Sequence, residues 1–142
     1  MLKRATLKET QELAHEVSLQ VNDGNIILLN GEMGSGKTQF VRFLCSSLKV
    51  KDRVSSPSFI IMNKYETSEG LEIFHFDFYR LTDIRDLEEI GLFEILESKK
   101  GLVIVEWGNM FKSLFVKEKN IIDIYFNFIE DNINLREISI QR

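Results

Sequence analysis

Residues Gly31-Glu32-Met33-Gly34-Ser35-Gly36-Lys37-Thr38 fit the spacing G-x-x-x-x-G-K-[ST] at every fixed position. Shortly before them runs Ile26-Ile27-Leu28-Leu29, a short apolar run of the kind that forms a buried parallel strand. After them Phe40, Val41, Phe43, Leu44 and Leu48 recur at helical spacing. Strand, glycine loop and helix in that order separate a phosphate-binding loop from a glycine-rich turn that matches by accident.

The residue types follow from the chemistry of an anion site. Gly31, Gly34 and Gly36 can take positive φ and place no side chain between backbone and phosphate. The loop's N–H groups then form a nest at the positive end of the following helix. Lys37 is placed to reach β- and γ-phosphates, and the Thr38 hydroxyl to ligate Mg²⁺. Gln39 would offer its backbone N–H to an α-phosphate.

Working outward to the N-terminus, residues 1–6 read as a short edge strand. Thr6 then caps a helix, with Glu9 at the capping-box position. Thr10, Leu13, Ala14, Val17 and Val21 share one face, and Asn22-Asp23-Gly24 closes the helix. His15 is expected on the exposed side.

Beyond the loop helix, a charged connection of residues 50–54 leads to Ser55-Ser56-Pro57-Ser58-Phe59. This stretch holds the only proline of the chain, which forces an extended residue before it. It reads either as a turn into a strand or as a loop that brings serine hydroxyls near the phosphates. Residues 59–65 and 71–78 read as a hairpin around Glu66-Thr67-Ser68-Glu69-Gly70. In its second strand Phe74, Phe76 and Phe78 alternate with His75, Asp77 and Tyr79. Asp77 is either a solvated acid opening a turn or a carboxylate that meets a ligand beyond the strand's C-terminal end.

Residues 81–100 read as helical, with Asp83 as a cap and Gly91 as an interruption. Leu102-Val103-Ile104-Val105-Glu106 follows: a buried strand tipped by an acid, the second phosphate-site signature, with Glu where Asp is usual. Trp107, the only tryptophan, is expected either in the core or facing a ligand. Residues 109–115 read as one short helix, and residues 121–129 and 135–140 as a hairpin around Glu130-Asp131-Asn132-Ile133-Asn134. Asn63-Lys64-Tyr65-Glu66 resembles a guanine-reading motif only in passing and reads as a strand end.

The expected fold class is therefore α/β: a P-loop NTPase-type three-layer fold with a central mixed β-sheet, parallel in its core, with antiparallel hairpins, flanked by helices. At 142 residues, residues 1–142 are expected to form a single domain. Hydrophobic content of 44% and charged content of 28% suit a soluble globular protein. The N-terminus lacks the apolar run of a signal peptide, no stretch reaches the length of a membrane span, and the single Cys45 excludes an internal disulfide. A cytoplasmic protein without membrane contact is expected. A net charge of −4 argues against strong direct binding to nucleic acid.

Four landmarks stand in one order: Gly31 to Thr38, Ser56-Pro57-Ser58-Phe59, His75-Phe76-Asp77-Phe78-Tyr79-Arg80 and Val105-Glu106-Trp107. Together they resemble the TsaE (YjeE) family of ATPases, which serve the formation of threonylcarbamoyladenosine (t6A) in tRNA. The family shows G-x-x-G-x-G-K-T, S-P-T-F, H-x-D-x-Y-R and E-W. Here Ser58 replaces the usual Thr and keeps its hydroxyl, and Met33-Gly34-Ser35-Gly36 replaces Leu-Gly-Ala-Gly.

The resemblance implies ATP as the nucleotide and Mg²⁺ as cofactor. It implies nucleotide binding by Thr10, Gly31, Glu32, Met33, Gly34, Ser35, Gly36, Lys37, Thr38 and Gln39. Lys37, Asp77 and Glu106 would be catalytic, and Thr38, Glu106 and Asp77 would hold the metal. Ser56, Pro57, Ser58 and Phe59 would form a switch-like segment. TsaB and TsaD, with TsaC in the pathway, would be partners, and tRNA would be met through their complex. ATP hydrolysis, slow in the isolated protein, would be coupled to turnover of TsaB–TsaD. Arg80 is the nearest arginine that could assist it. The alternatives are a small-molecule P-loop kinase, against which residues 81–100 lack an arginine-rich lid, and a nucleotide-binding adaptor without hydrolysis.

Overall fold

A computed structural model describes residues 1–57 and 61–142. Seven strands are described: β1 Leu2–Ala5, β2 Ile26–Gly31, β3 Met62–Glu66, β4 Glu72–Asp77, β5 Leu102–Glu106, β6 Ile121–Ile129 and β7 Asn132–Gln141. The helices are α1 Leu7–Ser18, α2 Lys37–Ser47, α3 Arg85–Glu89 and α4 Leu92–Ser98. The strands form one sheet in the order β1-β7-β6-β2-β5-β4-β3. β4, β5, β2 and β6 run parallel, while β3, β7 and β1 pair antiparallel at the flanks. This is the mixed sheet with a parallel centre that the sequence predicts.

Period-2 alternation divides each apolar run between two layers. Ile27 and Leu29 of β2 join Leu102 and Ile104 of β5 under Leu13, Val17, Phe40 and Leu44 of α1 and α2. Ile26, Leu28, Val103 and Val105 point the other way, toward Phe76, Leu87, Leu92, Leu96 and Phe115. Helices therefore cover both faces of the sheet. Among the described residues no helix is long and apolar enough to cross a membrane.

The capping box at Thr6 and Glu9 forms as the sequence predicts, with each backbone N–H met by the other residue's side chain. Such a cap is worth about 1 kcal/mol. His15 is exposed, and β1 lies on the sheet edge.

Four boundaries differ from the sequence reading. α1 ends at Ser18, not at Asn22-Asp23-Gly24, because the chain unwinds at Leu19 and turns Val21 back into the core. Residues 81–84 are not helical. Asp83, expected as the cap, instead accepts the Arg85 N–H and pairs with its guanidinium one residue ahead of the actual cap, Ile84, and Gly91 at φ +84 separates α3 from α4. Residues 108–115 are 3-10 helix kinked at Phe111 (φ −130°, ψ 45°), which lets Phe111 and Phe115 both pack on Phe78. The last hairpin turns on Glu130-Asp131 alone, with a bulge between Phe128 and Ile129 taking up the register. The first hairpin keeps its place, with Thr67 and Leu71 closing the loop. Phe59 and Ile60, expected to open β3, lie outside the described residues.

Candidate functional site

Three parallel neighbours, β2, β5 and β4, end together at one side of the sheet. Register sets Leu29 opposite Glu106 and Glu106 opposite Asp77. The glycine loop thus leaves β2 beside two carboxylates that are remote from it in sequence, at the sheet end where α/β folds bind ligands.

The loop has the backbone its glycines permit. Gly31 sits at φ +152, where an added Cβ would lie 2.6 Å from both the Phe126 carbonyl oxygen and the Ser35 hydroxyl. The Ser35 hydroxyl is buried with no hydrogen-bond partner among the described residues. Lys37 is 5% exposed. Its ammonium donates to the carbonyls of Gly31 (2.5 Å) and Glu32 (2.9 Å) and lies 4.2 Å from the centre of the Trp107 ring. Burial pushes the Lys37 pKa down, and Glu106 and Asp77 pull against that shift.

Thr38 opens the first turn of α2 and donates its hydroxyl to Oε1 of Glu106 at 2.7 Å. Glu106, at 2% exposure, receives a second contact from Nε2 of His75 at 2.6 Å. Asp77 accepts the Ser56 hydroxyl (3.2 Å) and the Tyr79 N–H (3.0 Å). Its carboxyl is held above the ordinary aspartate range, first by burial; the Tyr79 N–H opposes that shift and Glu106 adds to it. Trp107 stands at φ +63, a region that costs a bulky residue of order 1–3 kcal/mol. That backbone turn lays its indole over Lys37 and against Tyr79, 5.0 Å away.

Met33, Gly34, Gly36, Lys37, Thr38, Gln39, Ser56, Asp77, Tyr79, Glu106 and Trp107 line a cleft of about 320 Å³. A second cavity of about 420 Å³ lies across the loop, bounded by Thr6, Thr10, Ser35, Gly36, Gln39, Phe126, Asn134 and Arg136 among others. Gly36 and Gln39 border both. Together the two cavities bring Thr10 and most of the glycine loop, Lys37, Thr38, Gln39, Ser56, Asp77 and Glu106 into one region. Glu32 enters through its carbonyl, with its residue exposed. Pro57 is buried beside Ser56, while Ser58 and Phe59 lie outside the described residues. Arg80 is solvent-exposed.

The oxygen donors of Thr38, Glu106 and Asp77 are the hard set that suits Mg²⁺. Among the described residues no group of three or more His, Cys, Asp or Glu could hold a metal alone. Through those oxygen donors the residues present fit the cofactor that the motif implies.

Tyr65, His75 and Tyr79 were not singled out as site residues by sequence. Alternation placed His75 beside Asp77, but nothing local indicated that both faces of β4 would be covered. Asn30 is a further case: it bonds Asp123, the Ile124 carbonyl and the Asn109 N–H, tying β2 to β6 and to the segment after Trp107.

The profile of the family described as threonylcarbamoyl adenosine biosynthesis protein TsaE matches residues 4–138. A protein of Aquifex aeolicus described as tRNA threonylcarbamoyladenosine biosynthesis protein TsaE is 38% identical over 112 residues, 75% of this chain and 77% of its own. A Rickettsia felis protein of the same description is 30% identical over 132 residues, 92% of this chain and 74% of its own. The crystal structure of Bacillus subtilis YdiB superposes with a TM-score of 0.76 at 25% identity, over 99% of this chain and 83% of that one.

Proposed function

The chain belongs to the TsaE family, and from that premise we propose that it hydrolyses ATP in the service of t6A formation in tRNA. The observation that supports this best is the convergence of Lys37, Thr38, Glu106, Asp77 and Ser56 on one cleft at the ends of parallel strands.

In this reading the phosphates of ATP occupy the cleft beside Lys37, and the nucleoside extends past Gly36 and Gln39 into the cavity beside Thr10. Lys37 leaves the carbonyls of Gly31 and Glu32 for phosphate oxygens. Its ammonium then offsets charge on the transferred phosphoryl group. Thr38 and Glu106 hold Mg²⁺, with Asp77 in the same oxygen set, and the ion when bound supplies further neutralisation of phosphate charge. Asp77, with Ser56 beside it, orients the water that attacks the γ-phosphate in line. Burial raises its carboxyl, which makes it a better proton acceptor than a solvated aspartate. Residues 1–142 act as one ATPase domain. Turnover is slow in isolation and is coupled to a TsaB–TsaD complex that meets the tRNA.

The test is phosphate release from ATP by the protein alone and with TsaB–TsaD. Stimulation by the partners, abolished in Lys37→Ala, is the expected result. A fast rate that ignores the partners, or transfer of phosphate to a small-molecule acceptor, would replace this reading with that of a kinase.

A further inference from the structure

His75 does not line the phosphate cleft, yet it is wholly buried against Glu106. Its Nε2 lies 2.6 Å from Oε2 of Glu106, and its Nδ1 lies 3.2 Å from the Tyr65 hydroxyl. That hydroxyl is 3.0 Å from the Ser55 carbonyl oxygen. The other Glu106 oxygen takes the Thr38 hydroxyl. A continuous polar chain therefore runs Ser55, Tyr65, His75, Glu106, Thr38, across β3, β4 and β5 to the start of α2.

Register builds this chain. Tyr65 pairs with Ile73 and Glu106 with Asp77, so both lie diagonal to His75, one on each side. Ile73, Leu102 and Ile104 surround it in an apolar layer. Polar groups buried there cost free energy unless all are paired, and an apolar side chain would fill the volume without that demand. What the polar chain adds is a fixed orientation. Glu106 reaches its site on three rotatable bonds, and anchoring Oε2 turns Oε1 toward Thr38.

We propose that His75 is a positioning residue for Glu106, and that Tyr65 ties the setting of Glu106 to the backbone at Ser55. This rests on the reading of Glu106 as a metal-holding carboxylate. The geometry places one proton. A carboxylate only accepts, so Nε2 carries a proton and donates to Glu106, while the Tyr65 hydroxyl donates to the Ser55 carbonyl and lies beside Nδ1. The Tyr65 hydroxyl is thus held between the Ser55 carbonyl and Nδ1. A backbone shift at Ser55 that draws the Tyr65 hydroxyl away removes the partner of Nδ1 and loosens Glu106. Ser56, the next residue, holds Asp77. One segment thus touches both carboxylates of the site.

The test is Mn²⁺ binding to the protein–ADP complex, followed by the EPR signal of free Mn²⁺. His75→Phe should raise the half-saturating Mn²⁺ by about 10- to 100-fold, the usual effect of losing the partner of a metal-holding group. ADP affinity without metal should be unchanged. His75→Gln, whose amide N–H can reach toward Glu106, should restore most of the loss, and Tyr65→Phe should weaken Mn²⁺ binding less, in the same direction. A folded His75→Phe protein that binds Mn²⁺ as the parent does would overturn the proposal.

Should His75→Phe fail to fold, unchanged Mn²⁺ binding in Tyr65→Phe would sink the Ser55 connection. NMR of the imidazole nitrogens gives a metal-free readout, since the chain holds only two histidines. A proton on Nε2 of His75 is expected, and a neutral ring protonated at Nδ1 would refute the orientation. Mn²⁺ binding unaltered in Glu106→Gln would instead overturn the reading of Glu106, leaving the NMR result to judge the contact with His75.

Discussion

Replacing Gly31 with alanine tests whether the loop is held by close packing or by φ alone. The added Cβ would stand 2.6 Å from the Phe126 carbonyl oxygen and 2.6 Å from the Ser35 hydroxyl, roughly 0.8 Å inside an ordinary 3.4 Å contact. The first of these is backbone, in β6, and is paired in register with Gly31 itself. It cannot retreat without opening the β2–β6 ladder. Gly70 is the matching control: its φ is +92 and nothing lies within 4 Å of a Cβ built there. Gly70→Ala should cost only the backbone strain, about 1–2 kcal/mol. Gly31→Ala adds about 1–3 kcal/mol of overpacking to a similar strain, for a total of about 2–5 kcal/mol. Urea unfolding of the two variants and the parent measures both losses. Nucleotide affinity should fall in Gly31→Ala and stay unchanged in Gly70→Ala. Equal destabilisation of the two variants would show that steric contact at Gly31 has been misjudged.

Asp77→Asn should separate stability from activity. The Asp77 carboxyl is raised in the folded state, so folding favours its protonated form; that contribution is full below the ordinary aspartate range and is lost as pH rises through the folded value. Asp77→Asn should therefore melt higher than the parent at pH 7, with a gap that closes toward pH values below about 4, while phosphate release is lost. A gap that widens in acid would reverse the sign of the argument. Trp107, the only tryptophan, should report phosphate binding, because Lys37 rests 4.2 Å from its ring. ADP should change its fluorescence, and Lys37→Met should remove the response. Cys45 is fully buried, which pushes its thiol up to about 12. It should react with a disulfide reagent at pH 8 only as fast as the protein opens, and rapid native labelling would contradict its placement.

Within one stretch of chain, the sequence determines a good deal. The glycine loop needs its glycines and lysine at fixed spacing within eight residues, the capping box needs Thr6 and Glu9 three apart, and the runs at residues 26–29 and 102–105 must be apolar at every position because helices cover both faces. Each is a short-range requirement that leaves a local pattern. The segments after Asp77 were less legible. Asp83 and Gly91 were readable as stop and start signals, but the length of α3 depends on how Asp83 engages Arg85, and the kink at Phe111 depends on Phe78, a residue of another segment.

The site itself was legible only as separate pieces. Lys37, Thr38, Asp77 and Glu106 each carried a motif, but no periodicity places Asp77 beside Glu106. That follows from the parallel order β2-β5-β4 and its register, which crossover connections and the packing of two apolar layers decide. The polar chain through Tyr65 and His75 is less visible still, since a histidine on an alternating strand has the same local signature whether it meets water or a carboxylate. Local sequence set which residues could bind phosphate. Strand order and burial decided which of them meet, because contacts between segments arise only when the whole sheet has closed over its core.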